Sequence, residues 1–281
     1  MTLSGKAKIA GVMGWPISHS RSPMLHGYWL EEYGIDGAYL PFPIAPENIE
    51  AALRALPKLG IAGTNLTVPH KEAALQICDR VDDVARRIGA VNTVVVESDG
   101  MLLGSNTDAF GFLENLKSES DWQSADGSAV ILGAGGAARA VVAALLDDGV
   151  QDIRIVNRTY KRAEHLASEF AGGCTVIPWD RKDDALEDAA LLVNTTTLGM
   201  TGHAELEISL KKLPASAIVN DIVYVPLQTP LLQNAATRGN TIVDGLGMLL
   251  HQARPGFAAW FGKQPRVSTG LRDFILADLK S

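Results

Sequence analysis

Short apolar runs alternate with segments of helical spacing from one end of the chain to the other, the pattern of an α/β protein. Lys8 to Met13 reads as a strand, followed by a turn and a helix from about Pro23 to Tyr33. Ser22-Pro23 has the form of a helix start, a hydroxyl N-cap ahead of proline at the first helical position. Tyr39 to Pro43 predicts a strand, Pro46 to Leu56 a helix, and Ile61 to Thr67 a strand that stops at Pro69. Val91 to Glu97 and Met101 to Gly104 flank Ser98-Asp99-Gly100, a hairpin signal.

The pattern changes after Asp108. A helix from about Phe110 to Lys117 leads through polar residues to Ala129–Leu132, an apolar run with the character of a buried strand. Gly133-Ala134-Gly135-Gly136-Ala137-Ala138 follows at once, then a helical pattern to Asp148 and a strand at Ile153–Val156, which completes a βαβ unit. Further strands are expected at 175–178, 191–194, 217–220 and 241–243, with a helix at 229–238 before the last. A doubly wound domain over about 109–244 is expected, preceded by a smaller α/β domain. The spacing leaves open which of the two receives the helical patterns after Gly245.

Composition narrows the class. A chain of 281 residues suits one large or two modest domains, at ~100–200 residues each. Hydrophobic residues at 47% and charged residues at 20% supply an ordinary core. The net charge of −7 offers no broad basic face, which argues against a nucleic-acid partner and is compatible with a monomer or a homodimer. No stretch reaches the ~18–20 apolar residues of a membrane helix; Ala129 to Leu146 is interrupted by Arg139. The first residues, MTLSGKAKIAGVMGW, lack a long apolar core ahead of a cleavage site, so no secretory signal is expected. Cys78 and Cys174 lie far apart and the histidines are scattered, so thiols in a reducing compartment are expected and no metal site. The expectation is a cytoplasmic protein that handles a small molecule.

The glycine-rich turn sits where it can act, after a strand and at the opening of a helix. Glycines let backbone N–H groups approach a pyrophosphate, and the helix N-terminus adds positive potential there. Close packing of helix on strand is the other use of such glycines. At the end of the second strand an NAD binder carries Asp or Glu for the ribose hydroxyl. This chain has Asn157-Arg158-Thr159, with Arg162 one turn on. A guanidinium attracts and matches a 2′-phosphate, so NADP(H) is favoured over NAD(H).

Three clusters in the first domain are polar beyond what their positions require. In His19-Ser20-Arg21-Ser22-Pro23, N-capping and a seat for a carboxylate fit equally well. In Gly63 to Lys71, alternation puts Asn65 and Thr67 on one side, with Lys71 just beyond the strand end. Lys71 could also be an exposed lysine at a helix start. In Gly104-Ser105-Asn106-Thr107-Asp108, Asp108 could cap the following helix.

These residues carry a family resemblance. HSRSP, NLTVPHK, GAVNT, GSNTD, GAGGAARA, NRT, NTTTLGM, DIVYVPLQTPLL and GLGMLLHQA closely resemble the shikimate dehydrogenases, in that family's order and across residues 14 to 253. The resemblance implies an N-terminal α/β substrate domain (1–108 plus 245–281), a Rossmann-type NADP-binding domain (109–244), and C-terminal helices that return to the substrate domain. It implies interconversion of 3-dehydroshikimate and shikimate with NADP(H), on the route to aromatic amino acids. Lys71 and Asp108 match the catalytic pair. Ser20 and Ser22 match the carboxylate hydroxyls. Thr67, Asn92, Asp108 and Gln252 match binders of the ring hydroxyls, and Tyr224 a further substrate contact. For the cofactor, Gly133, Ala134, Gly135, Gly136 and Ala137 match the pyrophosphate loop. Asn157, Arg158, Thr159 and Arg162 match the 2′-phosphate segment, Ile222, Gly245 and Met248 the nicotinamide end, and Asp83 an acidic position assigned to cofactor contact. Ala109 stands where glycine is usual. A quinate/shikimate dehydrogenase of the same family, a folate-linked dehydrogenase and a non-catalytic NADP(H)-binding protein are the rival readings.

Overall fold

A computed structural model describes residues 2–170 and 172–279. The chain forms two compact units, one running to Thr107 and resuming at Gln252, the other spanning Asp108–His251. In the first, β1 (Lys8–Gly14), α1 (Ser22–Glu32), β2 (Gly37–Pro43), α2 (Ile49–Ala55), β3 (Ile61–Leu66), α3 (Ala74–Ile77), β4 (Arg80–Val81), α4 (Asp83–Ile88), β5 (Thr93–Val96) and β6 (Leu102–Ser105) follow one another. Their sheet has the order β2-β1-β3-β5-β6-β4. Strands β2, β1 and β3 run parallel, and β5 is antiparallel to both β3 and β6. The hairpin turn uses Gly100 at φ +82°, a conformation that glycine adopts without steric cost.

Two expectations about helix starts are corrected. The run from Pro46 divides into a single 3₁₀ turn (Pro46–Asn48) and α2, because Asn48 sits at φ −105° and ψ −1° between them. At α1, Arg21 takes the cap position, Ser22 is the first helical residue, and no side chain caps the helix. The Ser22 N–H is met by Ser20 Oγ at 3.3 Å.

In the second unit, α5 (Asp108–Glu119), β7 (Ser128–Leu132), α6 (Gly136–Asp148), β8 (Ile153–Asn157), α7 (Tyr160–Glu169), β9 (Cys174–Pro178), β10 (Ala189–Asn194), β11 (Ile218–Asp221), α8 (Pro230–Thr237) and β12 (Thr241–Val243) form a wholly parallel sheet with its helices. The order β12-β11-β10-β7-β8-β9 is that of a Rossmann fold, with the reversal of strand order between β7 and β10. Every residue of β7 is buried, as expected of a central parallel strand covered on both faces. Helix α9 (Gly245–Phe261) begins in the second unit and continues into the first, where α10 (Thr269–Leu279) also belongs. The sequence pattern placed the division at 244/245. The Gly247 backbone lies so close to the Asn115 amide that a side chain would collide with it, and Asn115 Nδ2 donates to the Asp244 carbonyl at 2.8 Å, so the start of α9 packs on α5.

An aromatic cluster fills the first unit where α1, β2 and the later half of α9 meet. Trp29, Phe257 and Trp260 are almost wholly buried, each stabilising the fold by roughly 1.5–3 kcal/mol or more. His26 lies among them, its ring stacked on Tyr39 at 3.9 Å between centroids and 1° between planes. Neither of its ring nitrogens has a hydrogen-bond partner, and burial lowers its pKa to about 3. The unfolded chain therefore takes up this proton first, so stability is held above the ordinary value of 6.5 and lost as pH falls below it. Between pH 6.5 and 5 the wild type should lose about 2 kcal/mol through this group. The His26→Phe variant, which keeps a ring in the stack, should lose correspondingly less in denaturant titrations. Parallel pH profiles for the two proteins would contradict the assignment.

Candidate functional site

The first unit gathers its polar residues at the ends of β1, β3 and β5. Thr67 follows β3, donates its N–H to the Met13 carbonyl at 3.0 Å and lays its methyl over Gly14. The chain then turns through a cis Val68–Pro69 peptide to His70. His70 is buried and donates Nε2–H to the Ile44 carbonyl at 2.9 Å; burial holds its pKa below the ordinary value. Lys71 is half-buried in the turn that precedes α3, so it is not a helix-start residue. Its carbonyl accepts the Val91 N–H at 2.8 Å.

One residue further on, Asn92 ties the strand ends together. Its Oδ1 accepts from Thr107 N at 2.9 Å, Thr107 Oγ1 at 3.2 Å and Thr93 Oγ1 at 2.9 Å. Its carbonyl accepts from Leu66 N at 2.8 Å and Asn65 Nδ2 at 3.1 Å, and its N–H donates to Ser105 O at 3.0 Å. Val91-Asn92 therefore fixes the Lys71 backbone on one side and Thr107, the residue before Asp108, on the other. Asp108 is the first residue of α5, where a carboxylate suits the helix dipole. Among the described residues other than glycine, only Asp188 has positive φ, so Ala109 needs no glycine conformation.

In the second unit the glycine turn joins β7 to α6. Gly133 has φ +115°, and a side chain there would come within 2.5 Å of Thr195 Oγ1. Gly135 and Gly136 differ: a Cβ at either would meet nothing within 4 Å. Packing thus explains Gly133 alone, and the open cradle over Gly135 and Gly136 at a helix N-terminus suits an anionic diphosphate. Ala134 and Ala137 are half-buried beside it. Asn157 ends β8 and donates Nδ2–H to the Thr159 carbonyl at 2.8 Å. This bond shapes the turn that leaves Arg158, Thr159 and, one turn into α7, Arg162 exposed. Free guanidinium groups at that strand end fit a 2′-phosphate.

At the ends of β10 and β11, Asn194, Asp221 and Thr229 form a buried network. Asp221 accepts from Asn194 Nδ2 at 3.0 Å, Val223 N at 3.0 Å and Thr229 Oγ1 at 2.7 Å. Burial nevertheless outweighs these donors and raises its pKa to about 6. The network fixes the segment from Ile222 to half-buried Tyr224. Gly245 packs its backbone on the Ile222 carbonyl, where a side chain would collide, which brings these two candidates together, and Met248 follows in α9. Gln252 lies further along α9, half-buried, and counts with the first unit. Asp83 is exposed in the first turn of α4, behind Asp82, whose carboxylate caps that helix through the Ala85 N–H.

Comparisons with known proteins show the family. Residues 12–94 match the family described as shikimate dehydrogenase substrate binding domain, and 115–223 the family described as shikimate / quinate 5-dehydrogenase. A shikimate dehydrogenase (NADP(+)) of Paramagnetospirillum magneticum is 60% identical over 276 residues, 98% of this chain and 100% of that protein. The chain belongs to the shikimate dehydrogenase family. Shikimate 5-dehydrogenase of Thermus thermophilus, solved in complex with NADP(H) and shikimate, superposes with a TM-score of 0.85 at 37% identity, covering 96% of this chain and 99% of that one. Quinate dehydrogenase of Corynebacterium glutamicum, solved with NAD, reaches 0.89 at 30% identity over 96% and 99%. Membership makes this an oxidoreductase of the NADP-linked group.

In the sequence of this dehydrogenase Thr107 and Asp221 fall inside quoted motifs but were given no role, and Tyr39 was passed over. The available signal was polarity in the wrong place, a tyrosine and carboxylates or hydroxyls within otherwise apolar strand ends. The two glycines separate packing from ligand binding experimentally. Gly135→Val should leave the melting temperature within a few degrees of wild type and weaken NADPH binding at least tenfold by fluorescence titration. Gly133→Ala should lower the melting temperature. Weaker stability in Gly135→Val with unchanged NADPH affinity would contradict the cradle.

Proposed function

We propose that this chain interconverts 3-dehydroshikimate and shikimate with NADP(H) in the cytoplasm, with Lys71 and Asp108 as its acid–base pair. The observation that carries the reading is the shared anchor: Val91 binds the Lys71 carbonyl, and Asn92 binds the residue that precedes Asp108. Bound NADPH supplies the hydride. As the 3-keto carbon is reduced, charge develops on its oxygen, and a proton donor must stand within about 3 Å. The Lys71 ammonium supplies both positive charge and the proton; in the opposite direction its neutral amine takes the hydroxyl proton. Asp108 orients the ammonium and accepts from the neighbouring hydroxyl.

Thr67, Asn92 and Gln252 hold the ring hydroxyls, Ser20 and Ser22 the carboxylate, and Tyr224 is a further substrate contact. Gly133 to Ala137 seat the pyrophosphate, and Asn157, Arg158, Thr159 and Arg162 the 2′-phosphate. Ile222, Gly245 and Met248 border the nicotinamide, and Asp83 is the remaining cofactor contact. A buried donor left without its hydroxyl costs ~1–3 kcal/mol, which makes the site selective for the full polyol acid. The likeness to a quinate dehydrogenase favours quinate as a second acid. Arg158 opposes a preference for NAD.

Lys71→Ala should lower kcat by about 10²–10⁴-fold, the usual worth of general acid–base catalysis, with the KM for shikimate little changed. Near-normal turnover would remove Lys71 from the mechanism. Arg158→Asp should raise the KM for NADPH far more than that for NADH in steady-state assays with shikimate and quinate. Equal effects on both cofactors would refute the 2′-phosphate assignment.

A further inference from the structure

We infer that Asp221 is a positioning residue for hydride transfer, holding the backbone that borders the nicotinamide in a fixed place relative to the glycine turn. The inference rests on the cofactor reading given above. Asp221 ends β11 and is fully buried. Its two oxygens collect three donors from three segments. Oδ1 accepts from Asn194 Nδ2 and from Val223 N, both at 3.0 Å, and Oδ2 accepts from Thr229 Oγ1 at 2.7 Å. The bond to Val223, two residues on, closes an Asx turn around Ile222. The Ile222 N–H goes to the Asn194 carbonyl at 3.1 Å, and the Gly245 backbone packs on the Ile222 carbonyl. Both N–H groups of Ile222-Val223 are therefore met by Asp221 and its partner Asn194.

Asn194 carries the frame to the other end of the cofactor site. Its Oδ1 accepts from Thr196 N at 3.1 Å and Thr196 Oγ1 at 2.7 Å. Between these two residues, Thr195 donates to the Leu132 carbonyl through N at 2.9 Å and through Oγ1 at 2.7 Å. That Oγ1 is the atom a side chain at Gly133 would strike. An unbroken series of hydrogen bonds thus runs from Leu132, the residue before the glycine turn, through Thr195 and Asn194 to Asp221 and the Ile222-Val223 turn. On its other side Asp221 holds Thr229, which caps α8 through the Leu232 N–H at 3.4 Å. The carboxylate is kept here at a cost, since desolvation raises its pKa to about 6.

Asp221→Ala opens the Ile222-Val223 turn and leaves the cradle over Gly135 and Gly136 in place. It should lower kcat for shikimate oxidation by up to about a hundredfold, the cost of a misplacement of roughly 1 Å. The primary isotope effect should grow with shikimate deuterated at the carbon that gives up the hydride. Affinity for NADPH should fall about tenfold, the worth of one or two such contacts. Affinity for 2′-phospho-ADP-ribose, which has the pyrophosphate and the 2′-phosphate but no nicotinamide, should stay at the wild-type value. Asp221→Asn keeps an Oδ1 for Asn194 and Val223 and offers Nδ2–H to Thr229 Oγ1, so it should restore most of kcat. Equal losses of affinity for NADPH and for 2′-phospho-ADP-ribose would show a general packing role and overturn the inference. An unchanged kcat in Asp221→Ala, or an Asp221→Asn variant as slow as Asp221→Ala, overturns it too. Weaker NADPH binding in Ile222→Ala beside unchanged binding in Asp221→Ala overturns the inference alone. Unchanged NADPH binding in Ile222→Ala overturns the nicotinamide border and the inference with it. Should Asp221→Ala fold poorly, Asp221→Glu supplies a second readout. It keeps the charge but pushes the turn away by one methylene, so the same selective loss for NADPH is expected; its absence overturns the inference.

Discussion

The side-chain oxygen of Asn92 is the point on which the hydrogen-bonded frame at the first unit's strand ends depends. A single acceptor atom receives a backbone N–H and two hydroxyls, while the same residue's main chain joins β3 to the end of β6. A buried carbonyl so fully engaged contributes a fixed geometry: removing it leaves donors from Thr93 and Thr107 without partners, at ~1–3 kcal/mol each. Lys71 has a long, flexible side chain, and in the proposed mechanism a held backbone is what lets it serve as the acid. The Val91 N–H on its carbonyl and the His70 imidazole on Ile44 hold it from both sides.

In the proposed reading the second unit solves a different problem, presenting backbone N–H groups to an anion. Here the sheet's parallel order places the β7 turn and the β10 end side by side at the switch point. Gly133 fits against Thr195, and Gly135 and Gly136 leave space above the helix start. Asp221 sits behind this surface as a buried carboxylate with three donors, bonding Asn194 of one strand end and Thr229 of a following helix. It gives the loops rigidity at some cost in desolvation, which is visible in its raised pKa.

Most of the fold was legible because each strand is a distinct apolar run and each helix has a spacing of its own. Ala129–Leu132 with its glycine turn, and the Ser98-Asp99-Gly100 hairpin, needed no tertiary information. Ser22 shows where local rules stop: serine before proline has the form of a cap, yet Arg21 takes the cap position, Ser22 is already helical and no side chain caps the helix. The approach of Gly247 to Asn115 is likewise set by packing and not by any local pattern. Within the proposed site, Lys71 and Asp108 stood out in polar clusters at strand ends, and Asn92 through the resemblance to a family alone. Tyr39, Thr107 and Asp221 act by touching residues far away in sequence, which no spacing encodes.

The central claim is that the Asn92 acceptor holds Lys71 and Asp108 in a working arrangement for a shikimate-type substrate. The most direct measurement is NADPH oxidation, followed by nicotinamide absorbance, on addition of 3-dehydroshikimate to wild type and to Asn92→Leu. The account predicts that wild type consumes the two in equal amounts and that the variant, while still binding NADPH, is slower by a hundredfold or more, about 3 kcal/mol in barrier. A wild-type protein that leaves NADPH untouched, or a variant as fast as wild type, would contradict it.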